Sequence, residues 1–176
     1  MTQLLQPYAL ARDEGKSVWF LGTLMTFKAT GAQTNNGFGL IEQVLPPGFA
    51  PPLHVHHNED EGFYLLEGEI TFHSGEKTMK ATPGTFIFFP RDIPHWFLVE
   101  GDKPARLLQI NTPAGVEQFF DEVGEPAQAM TLPLPGAPDI EKMVALATKY
   151  NIEILGPPPH SNGTEADGHV KETLTM

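Results

Sequence analysis

The sequence predicts an all-β protein of the sandwich or barrel type, followed by a short helical C-terminal extension. From residue 17 to residue 112, short apolar runs alternate with turn-forming residues, and the 176-residue chain contains 17 Gly and 17 Pro. Turn formers at such close spacing favour β architecture. No helical pattern of about ten residues or more interrupts this region, which disfavours a parallel sheet built from strand–helix–strand units. The length suits one domain with a sizeable core.

Strand positions follow from the turn signals between them. Gly22 separates the first two strands, and Ser74-Gly75 indicates a hairpin turn between the sixth and the seventh. Pro83-Gly84 ends the seventh strand, and Pro90 ends the eighth. The predicted strands cover residues 18–21, 23–30, 38–45, 53–56, 61–66, 70–73, 77–81, 85–89, 95–99 and 105–111.

Helical spacing replaces the strand pattern after Pro113. Apolar residues fall at i, i+3, i+4 and i+7 from residue 116 to residue 123, and Gly124 can end that helix. A second helix is predicted over residues 140–147, with Asp139 as its N-cap. We divide the chain into an N-terminal arm (1–16), a β-barrel (17–113), a helical extension packed on the barrel (114–156) and a flexible tail (157–176).

Composition limits the partners and the ligand chemistry. The formal net charge is −11, so the surface repels phosphates, and neither nucleic acid nor an anionic membrane is an expected partner. Cysteine is absent, so any metal must be held by nitrogen and oxygen. The start MTQLLQPYALARDEGK lacks a basic region and a long apolar run, and no stretch approaches the roughly 18 apolar residues of a membrane span. We therefore expect a cytoplasmic protein.

The stretch HVHHNEDEG, residues 54–62, has the features of half a metal site. His54 and His56 are two positions apart on a predicted strand, so both imidazoles point to the same face. A third ligand from the next strand would complete a set on one side of the ion. Strand parity leaves Glu59, Asp60 and Glu61 open for that role, because the alternating residues that would accompany either register are apolar.

Two segments resemble the two sequence motifs of the cupin superfamily. GFAPPLHVHHNEDEGFYLLEG, residues 48–68, is similar to the first motif: Gly, five residues, His-x-His, three or four residues, Glu, six residues, Gly. GTFIFFPRDIPHWFLV, residues 84–99, is similar to the second motif: Gly, five residues, Pro-x-Gly, two residues, His, three residues, Asn. Asp92 and Val99 replace the second Gly and the Asn. Asp can also occupy a turn of this kind.

The resemblance covers residues 36–113 and implies the conserved cupin β-barrel of jelly-roll type. It implies that His54, His56, Glu61 and His95 surround one divalent metal ion, and it selects Glu61 by its distance from Gly68. The other histidines are interpreted as having no ligand role; they are His57, His73, His160 and His169. Glu59 and Asp60 are expected in a solvated loop, and Phe119 and Phe120 are expected to pack a helix rather than contact substrate.

A divalent ion held by three neutral imidazoles and one carboxylate has a net charge of about +1, which favours an anionic oxygen ligand such as an enolate, phenolate or carboxylate. Such a centre keeps open coordination positions for Lewis-acid or O₂ chemistry. The mixed nitrogen and oxygen donors suit Fe, Mn, Co, Ni, Cu or Zn. The predicted pocket is apolar and suits a planar aromatic substrate; its residues are Phe63, Leu65, Phe97, Val99, Phe49 and Phe88.

A narrower resemblance rests on TPAGVEQFFDEVGEPA and NIEILGPPP, which are similar to segments of small quercetinase-like cupins. That resemblance implies a flavonol dioxygenase-like enzyme that opens a heterocyclic ring with O₂. Glu61 would then be the catalytic base, because it is the one ionisable ligand with a spare oxygen.

Two other functions stay open. A metal-dependent isomerase or lyase acting on a small polar substrate would need polar side chains in the pocket, and Arg106, Gln109 and Asn111 are the candidates. A non-catalytic small-molecule-binding cupin would retain its ligand without turnover. A homodimer is also expected, because Trp96 and Leu98 make the outer face of strand 95–99 apolar and that face needs a cover.

Overall fold

The computed structural model describes residues 5–137 and 139–159. Within these ranges the chain forms twelve strands and three helices. In chain order they are β1 (Lys16–Phe20), β2 (Thr23–Ala29), α1 (Gly31–Thr34), β3 (Gly39–Leu45), β4 (Leu53–His56), β5 (Asp60–Glu67), β6 (Ile70–Ser74), β7 (Lys77–Ala81), β8 (Phe86–Phe89), β9 (Trp96–Val99), β10 (Ala105–Thr112), α2 (Val116–Val123), β11 (Glu125–Pro126), α3 (Ile140–Lys149) and β12 (Ile152–Gly156).

The strands pair antiparallel throughout the described structure and form three sheets. The largest has the order β11-β1-β2-β3-β10-β5-β8, and the other two have the orders β7-β6-β9 and β12-β4. Reciprocal backbone hydrogen bonds between His54 and His95, with N···O distances of 3.2 and 3.0 Å, join β4 to the residue before β9. The all-β architecture predicted from the sequence is confirmed.

Two apolar cores follow from the alternation of side chains along the strands. In β5, Phe63 and Leu65 are buried while Tyr64 is exposed, and β10 buries every second residue from Ala105 to Asn111. The inner core lies inside the barrel and centres on Phe72 and Leu107. The second core lies between the large sheet and the C-terminal extension. Burying one large apolar side chain contributes about 1.5–3 kcal/mol to folding.

Two residues of the cupin-like motifs, Gly68 and Asp92, occupy turns with a positive φ, which few other residues adopt. Gly68 has φ +84°, and a Cβ there would lie 2.8 Å from Ala105 Cα, so only glycine fits between β5 and β10. Asp92 stands where the second motif has glycine and adopts φ +65°, in the left-handed region that Asp tolerates better than most residues. The Asp92 N–H donates to His56 O at 2.8 Å, which holds this turn against β4.

The C-terminal extension is only partly helical. Helices α2 and α3 begin and end close to the predicted positions, and Asp139 caps α3 by accepting a 2.9 Å hydrogen bond from the Lys142 N–H. The extension also supplies two strands that were not predicted: β11 pairs with β1, and β12 pairs with β4. Ile152 and Ile154 alternate with polar or exposed neighbours, which is the period-2 pattern of a strand.

Part of the sequence prediction lies outside the described residues. Residues 160–176, including His160 and His169, and residues 1–4 belong to this part, so the predicted flexible tail and the start of the predicted arm stay predictions. Across the described ranges, no helix has the length and apolar character that crossing a membrane requires.

Candidate metal centre and cavity

Four side chains from three places in the barrel converge on one point. His54 and His56 lie on β4, Glu61 lies on β5, and His95 lies just before β9. One donor atom from each residue can be chosen so that all four lie within 4.8 Å of one another. His56, Glu61 and His95 are buried, whereas His54 is half-buried. The alternation of β4 therefore directs both of its histidines inward, as the spacing predicted.

Backbone carbonyls orient two of the imidazole rings. His54 Nδ1 lies 2.7 Å from Pro52 O, and His95 Nδ1 lies 3.0 Å from Ile93 O. A carbonyl oxygen only accepts hydrogen bonds, so in each ring Nδ1 carries the proton and Nε2 is left to bind a ligand. The Phe89 ring stacks on His95 at 4.3 Å between centroids and fixes its plane.

The carboxylate of Glu61 has a different environment at each oxygen. Oε2 lies 2.8 Å from His95 Nε2 and 3.5 Å from His56 Nε2. Two lone pairs at such a distance repel one another, so the contact requires a shared cation, either a proton or a metal ion. Oε1 accepts hydrogen bonds from Gln109 Nε2 at 2.6 Å and Asn111 Nδ2 at 2.9 Å. The donor set and its orientation therefore fit a divalent metal ion.

Burial and the charges of neighbouring ligand residues also shift the pKa values within the cluster. Burial, together with the charges of His95 and His56, lowers the pKa of His54 to about 3. Burial lowers the pKa of His56, but the negative charges of Glu61 and Glu59 outweigh it and leave that pKa raised. Burial raises the pKa of Glu61, but the attraction of His56 and His95 outweighs it and leaves that pKa lowered. The cluster is built to hold an anionic carboxylate and a bound positive charge.

The acidic residues between the motif ligands do not lie in a solvated loop, and that prediction was wrong. Glu59 is only 3% exposed, and its Oε2 lies 3.6 Å from His56 Nδ1. Asp60 begins β5 and accepts hydrogen bonds from the Arg91 side chain, each at 3.0 Å, so it fastens the loop before β9 to the sheet. The connection between β4 and β5 is so short that the two strands determine where its side chains lie. The polarity of the residues alone does not predict these positions.

Two of the other histidines make contacts outside the cluster. His57 is exposed, as expected, and its ring lies between two carboxylates: Nδ1 is 2.6 Å from Asp92 Oδ1, and Nε2 is 3.3 Å from Glu153 Oε2. These contacts connect β4, the turn at Asp92 and β12. His73 stacks on Trp96 with 4.1 Å between ring centroids.

A cavity of about 60 Å³ opens beside the ligand cluster. Phe49, Phe63 and Phe97, three of the residues assigned to a substrate pocket, line this cavity. Leu65 and Val99 instead pack in the inner core, outside the cavity lining. Phe88 is 52% exposed, because β8 turns Ile87 and Phe89 inward and Phe86 and Phe88 outward. Assigning Phe88 to the pocket was therefore wrong.

Several lining residues were missed or given another role. Phe119 and Phe120 pack α2 against the barrel, as predicted, and they also line the cavity, which was not predicted. Met143 of α3 and Ile152 of β12 close its outer side. The signal for these residues is weak, because an apolar residue on a helix face is most often a core residue.

Polar residues on buried strand faces carried a clearer signal. Gln43 lies on a buried face of β3 between Ile41 and Leu45, and its amide nitrogen donates a hydrogen bond to Gln109 Oε1. Gln109 and Asn111 face inward and bind Glu61. Among the polar candidates on the last barrel strand, Arg106 has the opposite parity. It makes ion pairs with Glu42 at 2.9 Å and Glu67 at 2.6 Å, away from the cavity.

Comparison with known proteins gives matches at the level of both sequence and fold. The Cupin domain family matches residues 41–111. The quercetin 2,3-dioxygenase of Bacillus subtilis is 23% identical over 152 residues, which cover 86% of this chain. That stretch corresponds to 45% of the enzyme, so this chain spans less than half the length of its curated relative.

Solved structures with similar folds include proteins described as a predicted oxalate decarboxylase and as a polyketide cyclase. KdgF from a Halomonas species matches with a TM-score of 0.55 and 14% identity, over 62% of this chain and 97% of that chain. A predicted oxalate decarboxylase from Thermotoga maritima matches with a TM-score of 0.55 and 22% identity, over 60% and 99%. The polyketide cyclase RemF from Streptomyces resistomycificus matches with a TM-score of 0.54 and 20% identity, over 73% and 89%. At these identities the similarity concerns the fold. The domain match and the two motifs show that the barrel contains a cupin domain over residues 41–111, and the solved structures share the cupin fold.

Proposed function

We propose that the protein is a metal-dependent, quercetinase-like dioxygenase that cleaves a flavonol or a related enolisable aromatic compound with O₂. The observation that carries the proposal is the position of the His54, His56, Glu61 and His95 cluster at an aromatic-lined cavity. Similarity to the Bacillus subtilis quercetin 2,3-dioxygenase supports the same reaction class. Because the match covers less than half of that enzyme, the substrate and the reaction are both part of the proposal.

The three Nε2 atoms and Glu61 Oε2 would hold the ion, which would be Fe, Mn, Co, Ni, Cu or Zn. When bound, it would supply Lewis acidity and, for a redox-active metal, a route for electrons to O₂. The carbonyls of Pro52 and Ile93 keep the rings of His54 and His95 in the ligating tautomer. Gln109 and Asn111 keep Glu61 turned so that Oε2 faces the histidines.

Glu61 is also the proposed acceptor of the substrate hydroxyl proton. Its Oε1 already accepts two amide hydrogen bonds, and Oε2 is the proposed ligand atom, so the spare oxygen expected from the sequence is absent. The proton would be received at Oε2, on the side of His95 and His56, in place of the metal contact of that oxygen. Phe49, Phe63 and Phe97 would flank the aromatic rings of the substrate and exclude water. A dry, apolar cavity strengthens the electrostatic interactions made by the few polar groups inside it.

The size of the cavity places a condition on this function. A volume of about 60 Å³ holds two or three molecules the size of water or O₂. Pockets for drug-sized ligands measure roughly 300–1,000 Å³. A flavonol therefore requires that the helical part of the outer wall, which includes Phe119, Phe120 and Met143, move away from the barrel. Ile152 also lines the cavity, but it pairs with His56 in the β12–β4 sheet and would stay in place.

An isomerase or lyase acting on a polar substrate has less support from the geometry. The polar residues nearest the ligands are Gln43, Gln109 and Asn111, and each already hydrogen bonds to another of these amides or to Glu61. Few polar groups are therefore left to orient such a substrate. Turnover of a polar substrate without O₂ uptake would favour this alternative, and ligand retention without turnover would favour a binding protein.

Homodimer formation and a cytoplasmic location are also proposals. The apolar outer face of strand 95–99 gives less support for a dimer than expected, because His73 of the same chain covers part of Trp96. A different surface supports it: Tyr64, Phe86 and Phe88 expose aromatic rings on the outer face of β5 and β8, and β8 is at the end of its sheet. Light scattering in solution would determine the mass of the assembly.

The test is metal analysis followed by turnover of quercetin. We expect about one divalent ion per chain, together with O₂ uptake and loss of the visible absorption of quercetin. His95→Ala should lower metal occupancy, as should His54→Ala, whereas His73→Ala is the matched control outside the cluster. Failure of protein reconstituted with Fe, Mn, Co, Ni or Cu to consume quercetin would refute the flavonol assignment. Full metal occupancy in His95→Ala would refute the proposed ligand set.

A further inference from the structure

One of the three ligand imidazoles is held differently from the other two. His54 and His95 each direct Nδ1 at a backbone carbonyl. His56 Nδ1 is buried and has no hydrogen-bond partner within the described structure, and the same is true of Glu59 Oε2. These two atoms lie 3.6 Å apart, slightly beyond hydrogen-bond distance. The Nδ1–H of the ring and the carboxylate oxygen are complementary as donor and acceptor.

The surroundings of Glu59 keep it beside this ring. The residue lies between β4 and β5, is only 3% exposed, and faces the turn that precedes α2. A Cβ at Gly115 would lie 3.0 Å from Glu59 Oε1, and Gly115 has φ +154°, so the turn closes directly over the carboxylate. A buried carboxylate oxygen without a partner, such as Glu59 Oε2, carries a desolvation cost that a nearby N–H or cation would offset.

We propose that Glu59 is a positioning residue of the metal centre: it accepts the Nδ1–H of His56, orients Nε2 toward the ion and adds a second negative charge beside it. This inference rests on the proposed metal site. Binding of an ion at Nε2 makes the Nδ1–H a stronger donor, which would draw the 3.6 Å contact into a hydrogen bond. With Glu59 counted, the net charge of the centre falls from about +1 to about 0.

The consequence is an asymmetric ligand set. A carboxylate partner makes an imidazole more basic than a carbonyl partner does, so His56 would bind the ion more strongly than His54 or His95. The added negative charge would also stabilise a more oxidised metal and weaken the attraction for an anionic substrate. Glu59 would thus adjust the balance between holding the metal and holding the substrate.

Glu59→Gln tests the proposal with nearly constant shape, because glutamine can still accept the Nδ1–H but carries no charge. The matched control is Glu153→Gln, which makes the same change beside His57, an exposed histidine outside the ligand set. The readout is Co²⁺ affinity, measured by competition with a chelator of known affinity. We expect Glu59→Gln to weaken Co²⁺ binding about 10- to 100-fold at unchanged stoichiometry, and Glu153→Gln to leave it unchanged.

Nitrogen-15 NMR of the histidine side chains in Zn²⁺-loaded protein gives a second readout that does not depend on activity. The wild type should show an exchange-protected Hδ1 signal from His56. In Glu59→Gln this signal should move, while those of His54 and His95 stay in place. The wild-type spectrum needs no variant, so it tests the contact even if Glu59→Gln does not fold.

The two proposals fail in distinguishable ways. Absence of Co²⁺ binding by the wild type would overturn the proposed metal function. Normal Co²⁺ binding by the wild type, with wild-type affinity in Glu59→Gln and an unprotected His56 Hδ1 signal, would overturn the role of Glu59 alone.

Discussion

Asn111→Leu removes one of the two amide N–H groups that hold Glu61 Oε1, while roughly preserving the side-chain volume. Asn111 is fully buried, and its Nδ2 lies 2.9 Å from the carboxylate. A hydrogen bond to a charged group contributes about 1.5–3 kcal/mol to stability. Asn111 Oδ1 has no hydrogen-bond partner in the described structure, so losing it costs nothing. We therefore expect metal-free protein to lose about 1.5 kcal/mol of unfolding free energy, the lower end of this range.

Leu substitutions at two neighbouring glutamines give losses of unfolding free energy with which the Asn111→Leu value can be compared. Gln109 donates to Glu61 at 2.6 Å and also accepts a hydrogen bond from Gln43. Gln109→Leu removes one charged and one neutral bond, so the expected loss is about 2–4.5 kcal/mol. Gln43→Leu removes only the neutral bond, and the expected loss is about 0.5–1.5 kcal/mol. The expected order of destabilisation is Gln109→Leu, then Asn111→Leu, then Gln43→Leu.

Urea unfolding in the presence of a chelator measures the three free energies under conditions where no metal compensates the charge of Glu61. If Gln43→Leu costs as much as Gln109→Leu, packing rather than the carboxylate determines stability at these positions. If Asn111→Leu leaves stability unchanged, the view of Glu61 as an anion held by two amides is wrong.

Three further predictions concern the cavity wall, one turn and the pH dependence of metal binding. Met143→Ala should lower the free energy of unfolding by about 2–5 kcal/mol and tighten quercetin binding in an absorbance titration, because it removes part of the outer wall. Val144→Ala, at an exposed site on the same helix, should change stability by no more than about 0.5 kcal/mol, and equal effects of the two changes would contradict the assignment. Asp92→Ala should lower the free energy of unfolding, measured by thermal unfolding, by about 1–2 kcal/mol, because alanine tolerates the left-handed backbone poorly. Asp92→Gly should lower it by less. The exposed ion pair between Asp92 and His57 contributes little to either value. Because the pKa of His56 is raised, protons compete with metal for this ring from near neutral pH downward. The Ni²⁺ affinity measured by equilibrium dialysis should therefore fall between about pH 8 and about pH 5. An affinity that does not change with pH would refute this competition.

The strand pattern was predictable because it depends on local spacing. Alternation in β5 and β10 and the turn residues at Gly68 and Asp92 are visible in the sequence, and the structure has strands and turns there. Residue-level reasoning left the third ligand open between adjacent acids, and only the motif resemblance selected Glu61. The position of His95, 34 residues from Glu61, also came from the motif, because local spacing carries no information about distant residues.

The features that were missed depend on contacts between distant segments. Glu59 looked like a solvated residue, but the turn at Gly115 covers it. Phe88 looked like a pocket residue, but the register of β8 turns it outward. The five-residue β12 was too short to separate from the coil around it, and its partner β4 lies about one hundred residues earlier. Hydrophobic periodicity predicts helices and strands, but it does not predict which strands pair with one another.

The pairing of β12 with β4 has a consequence for the handling of this protein. Apart from β12, the described structure joins β4 to the barrel through the reciprocal bonds between His54 and His95 and through the bond from the Asp92 N–H to His56 O, so β12 supplies most of the backbone pairing along the strand. A chain cut before Ile152 would leave β4 with an unpaired edge, and such edges recruit strands from other molecules. Shortened variants should therefore aggregate through the segment that carries two of the four proposed ligands.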